Sequence, residues 1–190
     1  MKTININLYN FLELMPNVQE KVLDNHRYIN VEDYDWHETV IEDAKIKLQQ
    51  IGFRNIDVQF SGFFSQGDGA SFTADLNLET WIEQDTKNRA KYTSLIDVLD
   101  NIEIVRLDSR YSHENTVKLY VNINCDAPET LHDLKDILQH ELNEEIRDLS
   151  REIFKDLEDT FTALISDESV TETLLDREYT YEANGIMRND

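Results

Sequence analysis

The stretch Ile56-Asp57-Val58-Gln59-Phe60-Ser61-Gly62-Phe63-Phe64-Ser65-Gln66-Gly67-Asp68-Gly69-Ala70-Ser71-Phe72-Thr73-Ala74-Asp75-Leu76 decides how this chain folds. Ile56, Val58, Phe60, Gly62 and Phe64 fall on one side, and Asp57, Gln59 and Ser61 on the other. Beyond the glycines, Phe72, Ala74, Leu76 and Leu78 resume the alternation. A period of two belongs to an extended strand with one buried face. Two such runs joined by a short loop containing Asp-Gly predict a hairpin. Three of the chain's five glycines (Gly62, Gly67, Gly69) lie in this loop. Glycine reaches backbone angles that other residues resist, so this concentration specifies a loop shape.

A second hairpin follows from the same pattern. One arm runs from Ile102 to Arg110 and the turn lies near Ser112-His113-Glu114-Asn115. The other arm sets Val117, Leu119, Val121, Ile123 and Cys125 against Lys118, Tyr120, Asn122 and Asn124. Clean alternation favours an antiparallel sheet. On the N-terminal side, Ile4, Ile6 and Leu8 predict a first strand over 2–8. Helical spacing then runs from Phe11 to Ile29, with Pro16 in the first turns, where a missing N–H is tolerated. A second helix is expected over 35–51, capped by Asp33 or Asp35 and closed by Gly52. Residues 79–100 read as helix in one or two pieces. Pro128 and Thr130 open a long helix over 129–165, striped by Leu131, Leu134, Leu138, Leu142, Ile146, Leu149, Ile153, Leu157, Phe161 and Leu164. A short helix (Val170, Leu174, Leu175) and a last strand at Tyr179-Thr180-Tyr181 close the chain. The expected architecture is one α+β domain over 1–190. It holds an antiparallel sheet of two hairpins, helices packed mainly on one face and a long C-terminal helix, with 129–190 as a helical C-terminal part.

The chain of 190 residues carries 39 acidic and 18 basic side chains, a net charge of −21. That excess disfavours direct binding to nucleic acid or to an anionic membrane and points to a basic partner, to solubility, or to both. The single cysteine, Cys125, excludes an internal disulfide and fits a reducing compartment. Its strand position reads as a buried structural thiol rather than a nucleophile. The opening Met1-Lys2-Thr3-Ile4-Asn5-Ile6 has no continuous apolar core of the kind a signal peptide needs. No window approaches the roughly 18 apolar residues of a membrane span. A cytoplasmic protein is expected.

Several constellations admit chemistry. The Gln66-Gly67-Asp68-Gly69 loop exposes backbone N–H groups that could hold a ligand or partner. It lacks the Lys-Ser/Thr of a phosphate loop and the ligand spacing of an EF-hand, and a hairpin turn is a sufficient account of it. Trp36-His37-Glu38 with Glu42 and Asp43 suggests an acid–base or metal site, but His37 has no carboxylate or histidine four residues on. His132 with Asp136, and His140 with Glu144, stand at i and i+4, yet no Cys/His cluster supports a metal, so neither metal nor cofactor is expected. On the long helix, Glu141, Glu144, Glu145, Asp148, Glu152, Asp156, Glu158 and Asp159 lie off the apolar stripe. Carboxylates four residues apart rise by roughly 6 Å, the scale of neighbouring phosphates on one strand. Arg147, Arg151 and Lys155 interrupt the row, so a solvated helix laced by ion pairs explains it equally.

At Trp36-His37-Glu38, Glu42-Asp43-Ala44-Lys45 and Ser61 to Phe72 the chain resembles a family of small bacteriophage proteins. Its members join an acidic amphipathic helix to a Ser-Gly-Phe-aromatic-Ser-Gln-Gly-Asp-Gly-Ala-Ser-Phe strand and loop. This chain has Phe64 where tryptophan is common. The opening helix, around Phe11 to Tyr28, looks similar too. The likeness covers about the first 75 residues well and the rest weakly. The motif is specific for the family and not for an activity, although some members carry an antitoxin label. The resemblance implies a protein acting in the cytoplasm of an infected bacterium.

Three functional expectations follow. The first is a phage-encoded acidic inhibitor, not an enzyme, that binds a basic, nucleic-acid-binding host protein such as a defence nuclease. It would occupy the partner's channel through Glu141, Glu144, Glu145, Asp148, Glu152, Asp156 and Asp159. The second is an antitoxin-like or scaffolding protein that binds through Phe63, Phe64, Gln66 and Asp68. The third is an enzyme with a carboxylate site around Glu38, Glu42 and Asp68. The apolar stripe of the long helix serves a core or a homodimer interface alike.

Overall fold

Alternation on either side of the glycine loop becomes a hairpin in the computed structural model, which describes residues 6–33 and 35–188. Strand β2 (Phe53–Ser61) pairs antiparallel with β3 (Gly69–Leu76), and β4 (Leu99–Arg106) with β5 (Val117–Ile123). A short seam, Ala74↔Ile104 and Asp75↔Glu103, joins the hairpins into a four-stranded sheet of order β2-β3-β4-β5. Strand β1 (Tyr9–Asn10) belongs to a separate small sheet with β6 (Thr180–Tyr181) and β7 (Met187–Arg188). The helices are α1 (Pro16–Asn25), α2 (Glu38–Gln50), α3 (Leu78–Glu83), α4 (Thr86–Tyr92), α5 (Glu129–Leu164) and α6 (Asp167–Asp176).

The contacts group into two compact units, one from residues 38–158 and the other from 1–37 together with 159–190. In the first, the four-stranded sheet packs against helices over a core that includes Phe53, Phe72, Ile102, Leu119, Leu138 and Leu142. Phe53 and Val58 are both buried although five positions separate them. An extra residue between Arg54 and Asp57, with Asn55 at φ 53°, restores the parity. Trp81 and Ile82 from α3, and Leu95 from the 3-10 turn Thr93–Val98, complete this core. In the second unit, Phe11, Leu14, Val22, Ile29, Val170, Leu174 and Tyr181 form a core of their own.

Several expectations are corrected. Of the strand expected over 2–8, residues 2–5 lie outside the described residues and 6–8 are not strand. Pairing begins at Tyr9, opposite Tyr181. The helix read from Phe11 to Ile29 is broken. A 3-10 turn, Phe11–Glu13, is closed by reciprocal hydrogen bonds between Asn10 and Glu13, and α1 starts afresh at Pro16, whose ring suits the first helical position. Helix α2 begins at Glu38, three residues later than expected. Strand β4 spans Leu99–Arg106, not Ile102 to Arg110. Phe64 does not continue the buried face of β2: pairing ends at Ser61↔Gly69, Gly62 turns the chain at φ +50°, and Phe64 is 78% exposed. Cys125 is exposed, because β5 stops at Ile123 and the cysteine lies in the turn beyond it.

Candidate functional site

The glycine loop is built around Asp68. Its Oδ2 accepts the backbone N–H groups of Phe64 (2.9 Å) and Ser65 (2.6 Å), while its own N–H donates to Ser65 O (3.0 Å). Those bonds draw the carboxylate against Gly62, where a Cβ would lie 2.8 Å from Asp68 Oδ2. Gly67 takes φ +101° and faces the Tyr111 ring. Gly69 has a different cause: a Cβ there would sit 2.5 Å from the Cβ of His113 and 2.9 Å from its Cα. Gly62 and Gly69 thus answer to a close neighbour, whereas Gly67 answers to its own backbone angle, since a Cβ there would meet Tyr111 at an ordinary 3.5 Å.

The connection between β4 and β5, residues 107–116, is tied to the loop by a polar seam. Ser61 Oγ accepts Ser112 N–H (3.0 Å) and donates to Ser112 O (3.2 Å). The Thr116 hydroxyl donates to His113 O (2.7 Å), accepts His113 N–H (3.1 Å) and lies 3.2 Å from the buried Ser71 hydroxyl. Arg106 Nη1 donates to Gln59 Oε1 and to Ser112 Oγ (3.1 Å). Its buried Nη2 finds no acceptor among the described residues. Sequence reading missed this seam, since none of Arg106, Ser112 and Thr116 belongs to a motif. The length of the connection was the available signal.

The predicted loop contacts separate. Phe63 turns inward and stacks between Phe60 (5.7 Å) and Phe154 of α5 (5.6 Å). Asp68 is engaged by backbone. Phe64 and Gln66 remain on the surface.

The α5 carboxylates separate further. Glu141 binds the Lys91 ammonium and the Tyr92 hydroxyl, and both hold its carboxyl below the usual range. Glu144 pairs with Arg147 (2.6 Å) and Asp148 with Arg151 (2.8 Å), one turn apart on the same helix. Glu145 accepts the Trp81 indole N–H (3.0 Å), and burial pushes its carboxyl up. Glu152 and Asp156 share Lys47, at 3.9 Å and 3.2 Å. The ammonium pKa of Lys47 is raised, chiefly by the hydrogen bond to Asp156. Glu158 and Asp159 are exposed.

The remaining candidates stay dispersed. His37 packs on Trp36 (5.5 Å). Glu38, Glu42 and Asp43 are exposed on α2, with Glu42 4.0 Å from Lys45. His132 is half-buried, Asp136 pairs with Lys135, and His140 is exposed. Among the described residues no group of three His, Cys, Asp or Glu side chains is placed to hold a metal ion. No described helix is long and apolar enough to cross a membrane.

No curated protein and no solved structure matches the chain. A family model does, over residues 36–167, a span that holds α2, the glycine loop, the four-stranded sheet and α5. The chain therefore belongs to the family described as Domain of unknown function (DUF8835).

Proposed function

We propose that the protein is a non-catalytic binding protein that inhibits a nucleic-acid-handling enzyme by occupying its basic channel. One observation carries the reading. With 39 acidic and 18 basic side chains, complete one-to-one pairing still leaves an excess of 21 negative charges. Ion pairing along α5 lowers the charge of that face, but the surplus persists at exposed positions such as Glu20, Glu38, Asp43, Asp100, Glu158 and Asp159. A field of this sign steers a basic surface into contact and repels nucleic acid. The likeness of the glycine loop and α2 to bacteriophage proteins supports a basic host protein, in an infected bacterial cytoplasm, as the target.

The test is affinity capture from host lysate across a salt gradient, followed by competition. Captured proteins should be basic nucleic-acid binders, should elute steeply between about 50 and 200 mM salt, and should lose nucleic-acid binding when this protein is added. Salt-insensitive capture, or capture without a basic protein, overturns the reading.

A second reading, antitoxin-like or scaffolding capture through the hairpin loop, is favoured by Phe64. This large apolar ring is 78% exposed on a turn pinned by two hydrogen bonds to Asp68. A pre-organised aromatic anchor is a common hot spot. Under this reading Phe64→Ala abolishes capture while circular dichroism shows the chain still folded, whereas neutralising α5 carboxylates does not affect capture. The first reading expects capture to survive Phe64→Ala and to weaken progressively as exposed carboxylates, those of α5 among them, are neutralised.

A further inference from the structure

A cleft of about 260 Å3 lies between α2 and α5 within the 38–158 unit. Its floor is apolar, with Ala44, Leu48 and Ile51 from α2 and Leu149 and Ile153 from α5. Its mouth is charged. Lys47, whose side chain is 61% exposed, reaches across to Glu152 and Asp156, and Asp43, one turn earlier on α2, adds to the negative field at its ammonium. Three carboxylates thus act on one ammonium at the rim of an apolar slot.

This combination is selective in a way that neither half is. Carboxylates alone accept any cation, and an apolar floor alone accepts any hydrophobe. The volume is below that of pockets built for whole small molecules and suits inserted side chains. We propose that the cleft docks an amphipathic helical segment of the basic partner, with aliphatic side chains in the floor and an arginine on the rim. The inference rests on the basic-partner reading and names where and how that partner is gripped.

The exchange is chemically favourable. A guanidinium reaches two acceptors at once, so it is better suited to span Glu152 and Asp156 than the point charge of Lys47. Releasing Lys47 sacrifices only an exposed ion pair, which contributes little. Asp43 stands four residues before it and can receive it on the same helix.

The test uses the intact chain and three fluorescent peptides of equal charge, read by anisotropy. One carries leucines and arginines on a single helical face, one has the same residues scrambled, and one has alanine in place of leucine. The facial peptide should bind about tenfold more tightly than either control. Glu152→Gln with Asp156→Asn should remove that preference, and so should Leu149→Asn, a half-buried site whose folding is checked by circular dichroism. Lys47→Ala should strengthen binding by about two- to fivefold, because the internal competitor is gone. Equal binding of all three peptides overturns the cleft and leaves the basic-partner reading standing. A facial preference that survives both the Glu152/Asp156 and the Leu149 changes also overturns it. If no peptide binds, the cleft inference fails, and the broader reading is then judged by the salt-dependent capture above.

Discussion

The glycine loop and the α5 carboxylates are both local concentrations of one residue type, and folding treats them differently. In the loop, Gly62 and Gly69 are each demanded by a close neighbour, Asp68 and His113, and Gly67 by its own backbone angle of φ +101°. The result is a single shape. Along α5, chemically equivalent carboxylates acquire different states. Glu144 and Asp148 are paired within their own helix, and Glu141 is held by Lys91 and Tyr92. Glu145 is half-buried against Trp81, while Glu152 and Asp156 share Lys47. The loop's glycines leave its backbone one way to fit against the β4–β5 connection. The state of a charge is set by whatever crosses to it from other elements. A run of acidic residues is therefore not one site, and substitutions should separate the two regions sharply.

The largest effect is expected at Gly69. A Cβ there would stand 2.5 Å from His113 Cβ and 2.9 Å from its Cα, and the backbone can yield only by prising the loop from the β4–β5 connection. Gly69→Ala should cost about 3 kcal/mol, as overpacking a closed site does. Chemical denaturation measures it, and a loss under about 1 kcal/mol would mean that the two loops are not locked. Asp68→Ala comes next. It strips the acceptor from the Phe64 and Ser65 N–H groups, which water then reaches, so the loss should be about 1–1.5 kcal/mol. Amide exchange at Phe64 and Ser65 should accelerate with it. If their protection is unchanged, Asp68 is not what shapes the loop.

The same contrast explains what the sequence made legible. The period of two around Val58, Phe72, Leu119 and Val121 marks the four-stranded sheet, and the leucine spacing marks α5 almost to the residue. The bulge at Asn55 stayed hidden because nothing but tertiary pairing tells Phe53 to share a face with Val58. Phe64 and Cys125 were misplaced for a related reason. Periodicity gives the direction of a strand but not its end, which pairing decides. Unit 1–37/159–190 was legible only in fragments, since two-residue strands such as Thr180–Tyr181 carry no period. For the site, the glycines pointed to the loop, but their partners Tyr111 and His113 lie some forty residues away. Lys47 and Trp81, which set the states of three α5 carboxylates, were equally out of view.

Glu145 offers a sharper test of divided behaviour. Burial raises its carboxyl pKa above the ordinary 4.5, so the folded chain keeps a proton that the unfolded chain has released. The penalty is absent below that ordinary value, grows as pH rises, and is complete above the raised folded value. Glu145→Gln keeps an acceptor for the Trp81 indole and removes the charge. It should stabilise at pH 7 by about 0.5–1 kcal/mol, reduced by partial solvent screening, and the gain should vanish near pH 4. Glu141 behaves oppositely. Lys91 and Tyr92 lower its pKa, so its contribution is present above the ordinary 4.5 and is lost as pH falls through the lowered value. Thermal melts of Glu145→Gln and Glu141→Gln across pH should diverge, and parallel profiles would refute the assignment.

The smallest effect belongs to Asp148, where two weak terms oppose. Asp148→Asn ends the exposed pair with Arg151, a bond of 2.8 Å on a carboxylate 74% exposed. Such a loss costs a few tenths of a kcal/mol, about 0.3–0.5 for a pair on one helix. The same change removes a negative charge that helps to raise the Glu145 carboxyl, and so relieves repulsion between neighbours. At pH 7 the net should stay within about 0.5 kcal/mol of zero. As acidification protonates Glu145 the repulsive term fades, and the balance should tip towards the ion-pair loss. Coupling is then visible in a double-mutant cycle: once Glu145 is glutamine, Asp148→Asn has no repulsion left to relieve and should destabilise at neutral pH as well. An additive cycle would show that Asp148 acts only on Arg151. The α5 carboxylates would then be a set of independent local pairs, without even the nearest-neighbour communication that a shared electrostatic face requires.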